Sequence, residues 1–178
     1  MNVTPAEAAM LAARASAPLK EGWRDGALSV WVPGRPKNVK NAGHWRTRHR
    51  WTSEWRDRAA TRIIAHARRP GVTGYIIVTR WPWAPFEPKA ITFTVYTSGR
   101  GFDGPDNLRT VCWPVLDALG PARTYHRGGV EVRGHGVGLI DDDKNPAHDI
   151  QYLQVVKAKV PGIALTVRLR RTQEENRQ

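Results

Sequence analysis

Cysteine is almost absent from this chain. Cys112 is the only one in 178 residues, which excludes an internal disulfide and a cysteine-based zinc site. A reducing, cytoplasmic setting follows as the expectation. Long apolar runs are missing too, and nothing approaches the ~20 residues of a membrane span. Ala8 to Ala17 comes nearest to a signal peptide, but no basic segment precedes it and Arg14 interrupts it. Thr4-Pro5-Ala6-Glu7 reads instead as a helix start, with Thr4 as N-cap, Pro5 at the first helical position and Glu7 closing a capping box. Residues 1–24 are therefore expected to form a short helical extension, Pro5 to Ala17, with no chemistry of its own. Acidic residues are scarce, 16 Asp+Glu against 28 Lys+Arg, for a formal charge of +12. Such an excess favours a polyanionic partner, nucleic acid ahead of a membrane surface. The duller alternative is charge that serves only solubility.

The few acids are not spread evenly. Eight of the sixteen (Asp103, Asp106, Asp117, Glu131, Asp141, Asp142, Asp143 and Asp149) fall between Asp103 and Asp149. The organising stretches are Gly101-Phe-Asp-Gly-Pro-Asp-Asn-Leu108 and Leu139-Ile-Asp-Asp-Asp-Lys144. A basic protein that gathers its carboxylates suggests a polyanion held by the basic surface and metal ions held by the acids.

In chain order, Ala27 to Val32 alternates weakly and ends at Pro33-Gly34, a strand running into a turn. The loop to Asn41 carries Arg35, Lys37 and Lys40. Arg35 to Arg69 holds eleven Lys/Arg and two acids, a net +9. Trp45, Trp51 and Trp55 are interleaved there with Arg46, Arg48 and Arg50, which suits phosphate neutralisation and base stacking. A helix is expected from Ser53 to Arg68, with Trp55, Ala59, Ile63 and Ala67 as its buried stripe; Trp45 and Trp51 are equally readable as core or as nucleic-acid contacts. Tyr75 to Thr79 reads as a strand and Trp81 to Pro88 as a rigid loop. Ala90 to Thr97 is the clearest strand, with Ile91, Phe93 and Val95 on one face, and it leads directly to Asp103 and Asp106. A helix from Asp106 to Leu119 follows, with Pro114 expected to kink it. Gly120 to Gly138, with six glycines, reads as a mobile basic loop. Ile150 to Val156 and Ile163 to Leu169 are expected to pair as a hairpin across Pro161-Gly162, with Ile163, Leu165, Val167 and Leu169 facing the core, before a polar tail at 172–178. The fold class is α/β in the broad α+β sense: a small mixed sheet with two main helices occupying residues 25–171.

Hydrolysis of a phosphodiester near neutral pH needs an activated water and a counter-charge for the phosphate. Mg²⁺, or Mn²⁺ in its place, supplies both and prefers a few carboxylates plus waters. Asp103, Asp106 and one or two of Asp141 to Asp143 are the right ligand type. The histidines lack the short spacing of a zinc site. Taken singly, Asp141-Asp142-Asp143 reads as an acidic turn and Asp106-Asn107 as a helix N-cap; in combination, in so basic a chain, the nuclease reading leads.

Asp103-Gly-Pro-Asp106-Asn107-Leu108, Asp117-Ala118-Leu119 and Ile140-Asp141-Asp142-Asp143 together resemble the hallmark of the RusA family of Holliday junction resolvases, particularly its phage-type members. Val32-Pro-Gly-Arg-Pro36 with Asn41 is similar to that family's opening strand and loop, and the likeness runs from about Leu28 to Leu169. It implies a homodimer that binds branched, four-way DNA in recombination or repair and cuts it with Mg²⁺. Asp103, Asp106 and Asp142 would be metal-binding catalytic aspartates, with Asp141 and Asp117 as supporting carboxylates and Asn107 beside them; Asp141 and Lys144 are also kept as candidate catalytic residues on this chain's own pattern. Arg35, Lys37, Lys40, Arg46, Arg48, Arg50 and Arg109 would contact DNA. Two departures stand out. The first two aspartates are one residue further apart than in the compact motif, and the family's lysine position holds Thr110 or, in the longer form, Trp113. Arg109, Arg123 or Lys144 are the candidate replacements. Three alternatives remain: a PD…(D/E)xK nuclease using Pro105-Asp106 with Asp142-Asp143-Lys144, a junction-binding protein without catalysis, and an RNA-packaging or ribosomal protein.

Overall fold

The computed structural model describes residues 19–38, 43–67, 83–122, 124–127, 129–133 and 136–170. The expected N-terminal helix, the strand at Tyr75–Thr79, Lys40, Arg123 and the tail at 172–178 lie outside those residues. The chain folds as α+β. A five-stranded mixed sheet has the order β1-β2-β7-β3-β6, formed by β1 (Gly22–Arg24), β2 (Ala27–Pro33), β3 (Lys89–Tyr96), β6 (Asp149–Val155) and β7 (Gly162–Leu169). Among the described residues two helices accompany it, α1 (Trp45–Ala67) and α2 (Pro105–Leu119), and β4 (Thr124–Arg127) pairs with β5 (Val130–Arg133) as a separate ribbon.

Alternation in the strands decides which face is covered. Leu28, Val30 and Val32 of β2, Ile91, Phe93 and Val95 of β3, and Ile163, Leu165 and Val167 of β7 are all fully buried. Against them pack Trp55, Ala59 and Ile63 of α1 and Leu108, Val111, Val115 and Leu119 of α2. The other face is more open, with Ser29 and Thr166 hydroxyls 3.3 Å apart on neighbouring strands, but it also carries the fully buried Trp31, edge-on to Tyr96. α2 runs unbroken through the buried Pro114.

Five expectations need correction. The last two strands do not form a hairpin: β7 lies between β2 and β3, antiparallel to both, and β6 pairs with β3 in parallel. The connection through Pro161-Gly162 therefore carries the chain past the end of β3 into the middle of the sheet. Leu169, at the end of β7, is partly exposed rather than core. The sheet begins at β1, inside the segment expected to be an extension, because Asp25 and Gly26 both adopt positive φ (49° and 72°), as a two-residue hairpin turn requires. α1 starts at Trp45, eight residues before Ser53. In its first two turns Trp45 is exposed and Trp51 only half-buried among Arg46, Thr47, Arg48, His49 and Arg50, so the buried stripe does not reach its start, which is set by His44, whose carbonyl accepts from Thr47 and Arg48 N–H while its ring accepts from Arg46 N–H. Gly120–Gly138 contains the β4–β5 ribbon, where Thr-Tyr-His-Arg and Val-Glu-Val-Arg flank Gly128-Gly129.

Candidate functional site

Asp103 and Asp106 sit where β3 hands over to α2. Three hydrogen bonds tie the connecting segment to the end of β6: Thr97 N–H to the Val155 carbonyl (2.9 Å), Ala158 N–H to the Thr97 carbonyl (2.8 Å), and Phe102 N–H to Gln154 Oε1 (2.9 Å). The N-cap of α2 is Gly104, with no side-chain cap hydrogen bond, and Pro105 takes the first turn. Asp106 is therefore not the cap. Its carboxylate stands exposed in the first turn, where the helix dipole favours negative charge. Asp103 is exposed as well, and neither side chain bonds or ion-pairs with a described residue, unusual for acids in a chain of charge +12. Asn107 explains the local shape: its Nδ2 donates to the Asp103 carbonyl and its Oδ1 accepts from Asn38 Nδ2 at 2.7 Å, drawing the 34–38 loop across the start of α2. A cleft of about 180 Å³ opens alongside, lined by Arg35, Pro36, Thr97, Ser98, Gly99, Arg100 and Phe102. Two guanidinium groups thus share a concavity whose lining ends at Phe102, the residue before Asp103.

The second acidic stretch is placed by the other end of α2. Val137, Gly138, Leu139 and Ile140 N–H groups bond to the carbonyls of Ala118, Gly120 and Leu119 at 2.8–3.1 Å, satisfying orphan acceptors of the helix terminus. Leu139 and Ile140 are fully buried, which fixes Asp141 to Asp143 beside Asp117. Asp141 accepts from Asn145 Nδ2 (2.9 Å) and meets His148 Nε2 at 2.9 Å. His148 Nδ1 accepts from Lys89 N–H at 3.3 Å, so its proton lies on Nε2, directed at Asp141. Desolvation pushes the Asp141 carboxyl up, but the His148, Asp142 N–H and Asn145 hydrogen bonds outweigh it and hold it below the usual range. The Lys144 N–H bond, 3.0 Å to Asp142 Oδ1, keeps Asp142 low too. Asp143 goes the other way: burial, then the neighbouring Asp142 and Asp117 charges, push it up. Asp117 itself pairs with Arg56 and accepts from Trp113 Nε1 at 3.0 Å.

These two acidic groups lie at opposite ends of α2. Asp106 and Asp117 are eleven residues apart, about 16 Å along a helix axis. Among the described residues no three His, Cys, Asp or Glu side chains are arranged to hold one metal ion. Asp103 and Asp106 share the strand-to-helix junction, on either side of the Gly104 cap, while Asp143, with Asp141 and Asp142 beside it, lies near Asp117 instead. Lys144 lies in a turn, not in the strand a PD…(D/E)xK lysine occupies. At the two lysine positions of the RusA motif, Thr110 is buried and back-bonds to the Asp106 carbonyl (2.8 Å), while Trp113 is committed to Asp117. Arg109 is exposed, close enough to Tyr152 for its charge to lower that phenol, whose pKa burial nonetheless pushes up to about 12.

Among the basic candidates, Arg35 lines the cleft, Lys37 is exposed on its loop, and Arg46, Arg48 and Arg50 are exposed along the start of α1. Trp45 is 61% exposed under the Arg46 guanidinium, whereas Trp51 is half-buried against Trp55. Arg100, Asn38 and Arg56 join the site without any expectation from the sequence. Of these, only Arg100 has a usable signal there, a cation between two glycines, Gly99 and Gly101, three residues before Asp103. No protein-family model matches the chain, and no curated protein matches it in sequence.

Proposed function

We propose that the chain is a Mg²⁺-dependent endonuclease that cuts four-way DNA junctions, with Asp103 and Asp106 at the centre of its site. The observation that carries this reading is the pair of exposed carboxylates, without a side-chain partner among the described residues, on a strand-to-helix junction whose cleft bears Arg35 and Arg100. Mg²⁺ is held in many phosphoryl-transfer sites by one or two carboxylates, with phosphate and water completing the shell, so this pair fits it. When bound, the ion would activate water and offset charge on the phosphate. The chain's own part is to present Asp103 and Asp106 as ligands, to seat the scissile phosphate against Arg35 and Arg100, and to track the flanking duplex with Arg46, Arg48 and Arg50. Asp142, Asp141 and Lys144 belong to the reading as the second acidic group.

The test is cleavage of a labelled synthetic four-way junction with Mg²⁺, beside EDTA and linear-duplex controls. Paired nicks that need both metal and junction are expected. Asp106→Asn should abolish them while junction affinity holds or rises, because a carboxylate facing phosphate is removed. Cutting that persists in this variant defeats the site assignment. A second reading, a junction-binding protein without catalysis, is favoured by Thr110 and Trp113, which leave no lysine on α2 beside Asp106. Tight binding with no cutting in Mg²⁺ or Mn²⁺ would select it.

A further inference from the structure

We propose that the cleft before Asp103 is a binding site for a terminal phosphate, the phosphomonoester at the end of a broken nucleic-acid strand. Its lining brings Arg35 and Arg100 together with Thr97 and Ser98, while Pro36 and Phe102 supply an apolar part. The volume, about 180 Å³, falls below the ~300–1,000 Å³ of pockets that enclose a whole drug-sized ligand. It suits a phosphate with part of its nucleoside, not a duplex.

Charge selects the ligand. Neither the Arg35 nor the Arg100 guanidinium bonds or ion-pairs with a described residue, whereas Arg56, Arg58 and Arg62 are each committed within the fold. A phosphodiester inside a strand carries a single charge and two free oxygens, so one guanidinium fork already satisfies it. A terminal phosphate carries about −1.5 to −2 near pH 7 and offers three acceptor oxygens. Two guanidinium groups in one small cleft match this second anion in charge and in number of donors. Asp103 and Asp106 lie outside the lining.

Both walls are held in place by the rest of the fold. On the Arg35 side, Pro36 is buried, Gly34 N–H donates to the Pro161 carbonyl (3.2 Å) and Asn38 is bonded to Asn107 (2.7 Å). On the Arg100 side, Thr97 is buried and its carbonyl accepts from Ala158 N–H, and Gln154 grips the Phe102 backbone at both its N–H (2.9 Å) and its carbonyl (3.4 Å). Walls set before the ligand arrives reduce the ordering cost of binding. Hydrolysis of a phosphodiester joins a water oxygen to phosphorus and releases a sugar oxygen, which takes up a proton as a hydroxyl. A diester thereby becomes a terminal phosphate. That the chain itself makes the end it holds rests on the nuclease reading; the end-binding site does not.

Fluorescence anisotropy in EDTA, where nothing is cut, tests this on duplexes with one nick. The nick carries a 5′-phosphate, a 3′-phosphate or hydroxyls on both sides. One phosphate-bearing nick should bind about tenfold tighter than the all-hydroxyl nick, the equivalent of one charge-assisted hydrogen bond, and its identity tells which strand end the cleft holds. Arg35→Ala and Arg100→Ala should each lose that ratio, and Arg100→Lys should keep part of it. Both arginines are exposed, so circular dichroism should be unchanged. Replacing Arg46, Arg48 and Arg50 together by Ala should weaken binding to every nick and leave the ratio intact. Equal affinity for all three nicks, or a ratio that survives Arg35→Ala and Arg100→Ala, overturns the proposal. If the ratio holds and junctions are not cut, the nuclease reading fails and the end-binding site stands; if junctions are cut and all nicks bind alike, the reverse is true.

Discussion

Glu21 illustrates how much a single side chain outside any regular element contributes. Its carboxylate is 5% exposed and takes two hydrogen bonds from Arg62 Nη2, at 2.7 and 2.6 Å, with Trp31 N–H at 2.8 Å and His66 Nε2 at 3.1 Å. Burial pushes this carboxyl up, yet the His66 and Trp31 hydrogen bonds and the His66 and Arg62 charges prevail and hold it below its ordinary value. A group whose folded pKa is depressed stabilises the fold above its unfolded pKa and loses that contribution as pH falls through the folded one. Stability should therefore be full above the ordinary carboxylate range and decline below it. Glu21→Gln should remove part of that acid dependence and cost about 3–5 kcal/mol at neutral pH, because Arg62 is left buried with its ion pair broken. Urea melts of both proteins between pH 3 and 7 would read the difference, and parallel curves would exclude the role.

Elements are legible in the sequence where a period or a punctuating residue is strong. β3 and α2 stand within a residue of their expected bounds, since Ile91-Phe93-Val95 alternates and Pro105 marks a first helical turn. Where long-range pairing decides the outcome, local pattern is no guide. A strong strand after Pro-Gly reads locally as a hairpin partner, and nothing in Ile163 to Leu169 says that β3 will come between it and β6. The candidate site divides the same way. Asp103 and Asp106 are readable from one short motif, whereas the position of Asp142 depends on 137–140 docking on the end of α2. The crossover itself depends on Gly162. A Cβ there would lie 2.4–2.5 Å from the Trp31 ring and 2.8 Å from the Val32 carbonyl. Gly162→Ala must displace a fully buried indole or the β2 backbone, so a loss of about 1–3 kcal/mol is expected from overpacking. An unchanged denaturation midpoint would mean that Trp31 has room to move.

At the scale of the whole molecule, the basic residues divide into an exposed set and a set committed to contacts within the fold. Residues 35–69 hold a net +9 of the chain's +12, and the described part of α1 carries Arg46, Arg48 and Arg50 on exposed positions away from the core. Arg50 has only a surface pair with Glu54 at 3.8 Å, worth little in water. Other basic residues in this region are structural: Arg62 is buried on Glu21, Arg58 Nη1 donates to the Pro33 carbonyl at 2.8 Å, and Arg56 neutralises Asp117. The two sets make opposite predictions. Replacing Arg46, Arg48 and Arg50 together by Ala should leave folding stability within about 0.5 kcal/mol per site, as for ordinary surface positions. It should weaken junction binding and flatten its dependence on salt, by about 0.9 in the log–log slope for each phosphate that is no longer neutralised. Arg168→Ala, at an exposed position on β7, serves as the control and should leave that slope unchanged. A triple variant whose slope matches wild type would show that α1 lies away from the DNA, leaving Arg35 and Arg100 at the cleft as the principal anchors.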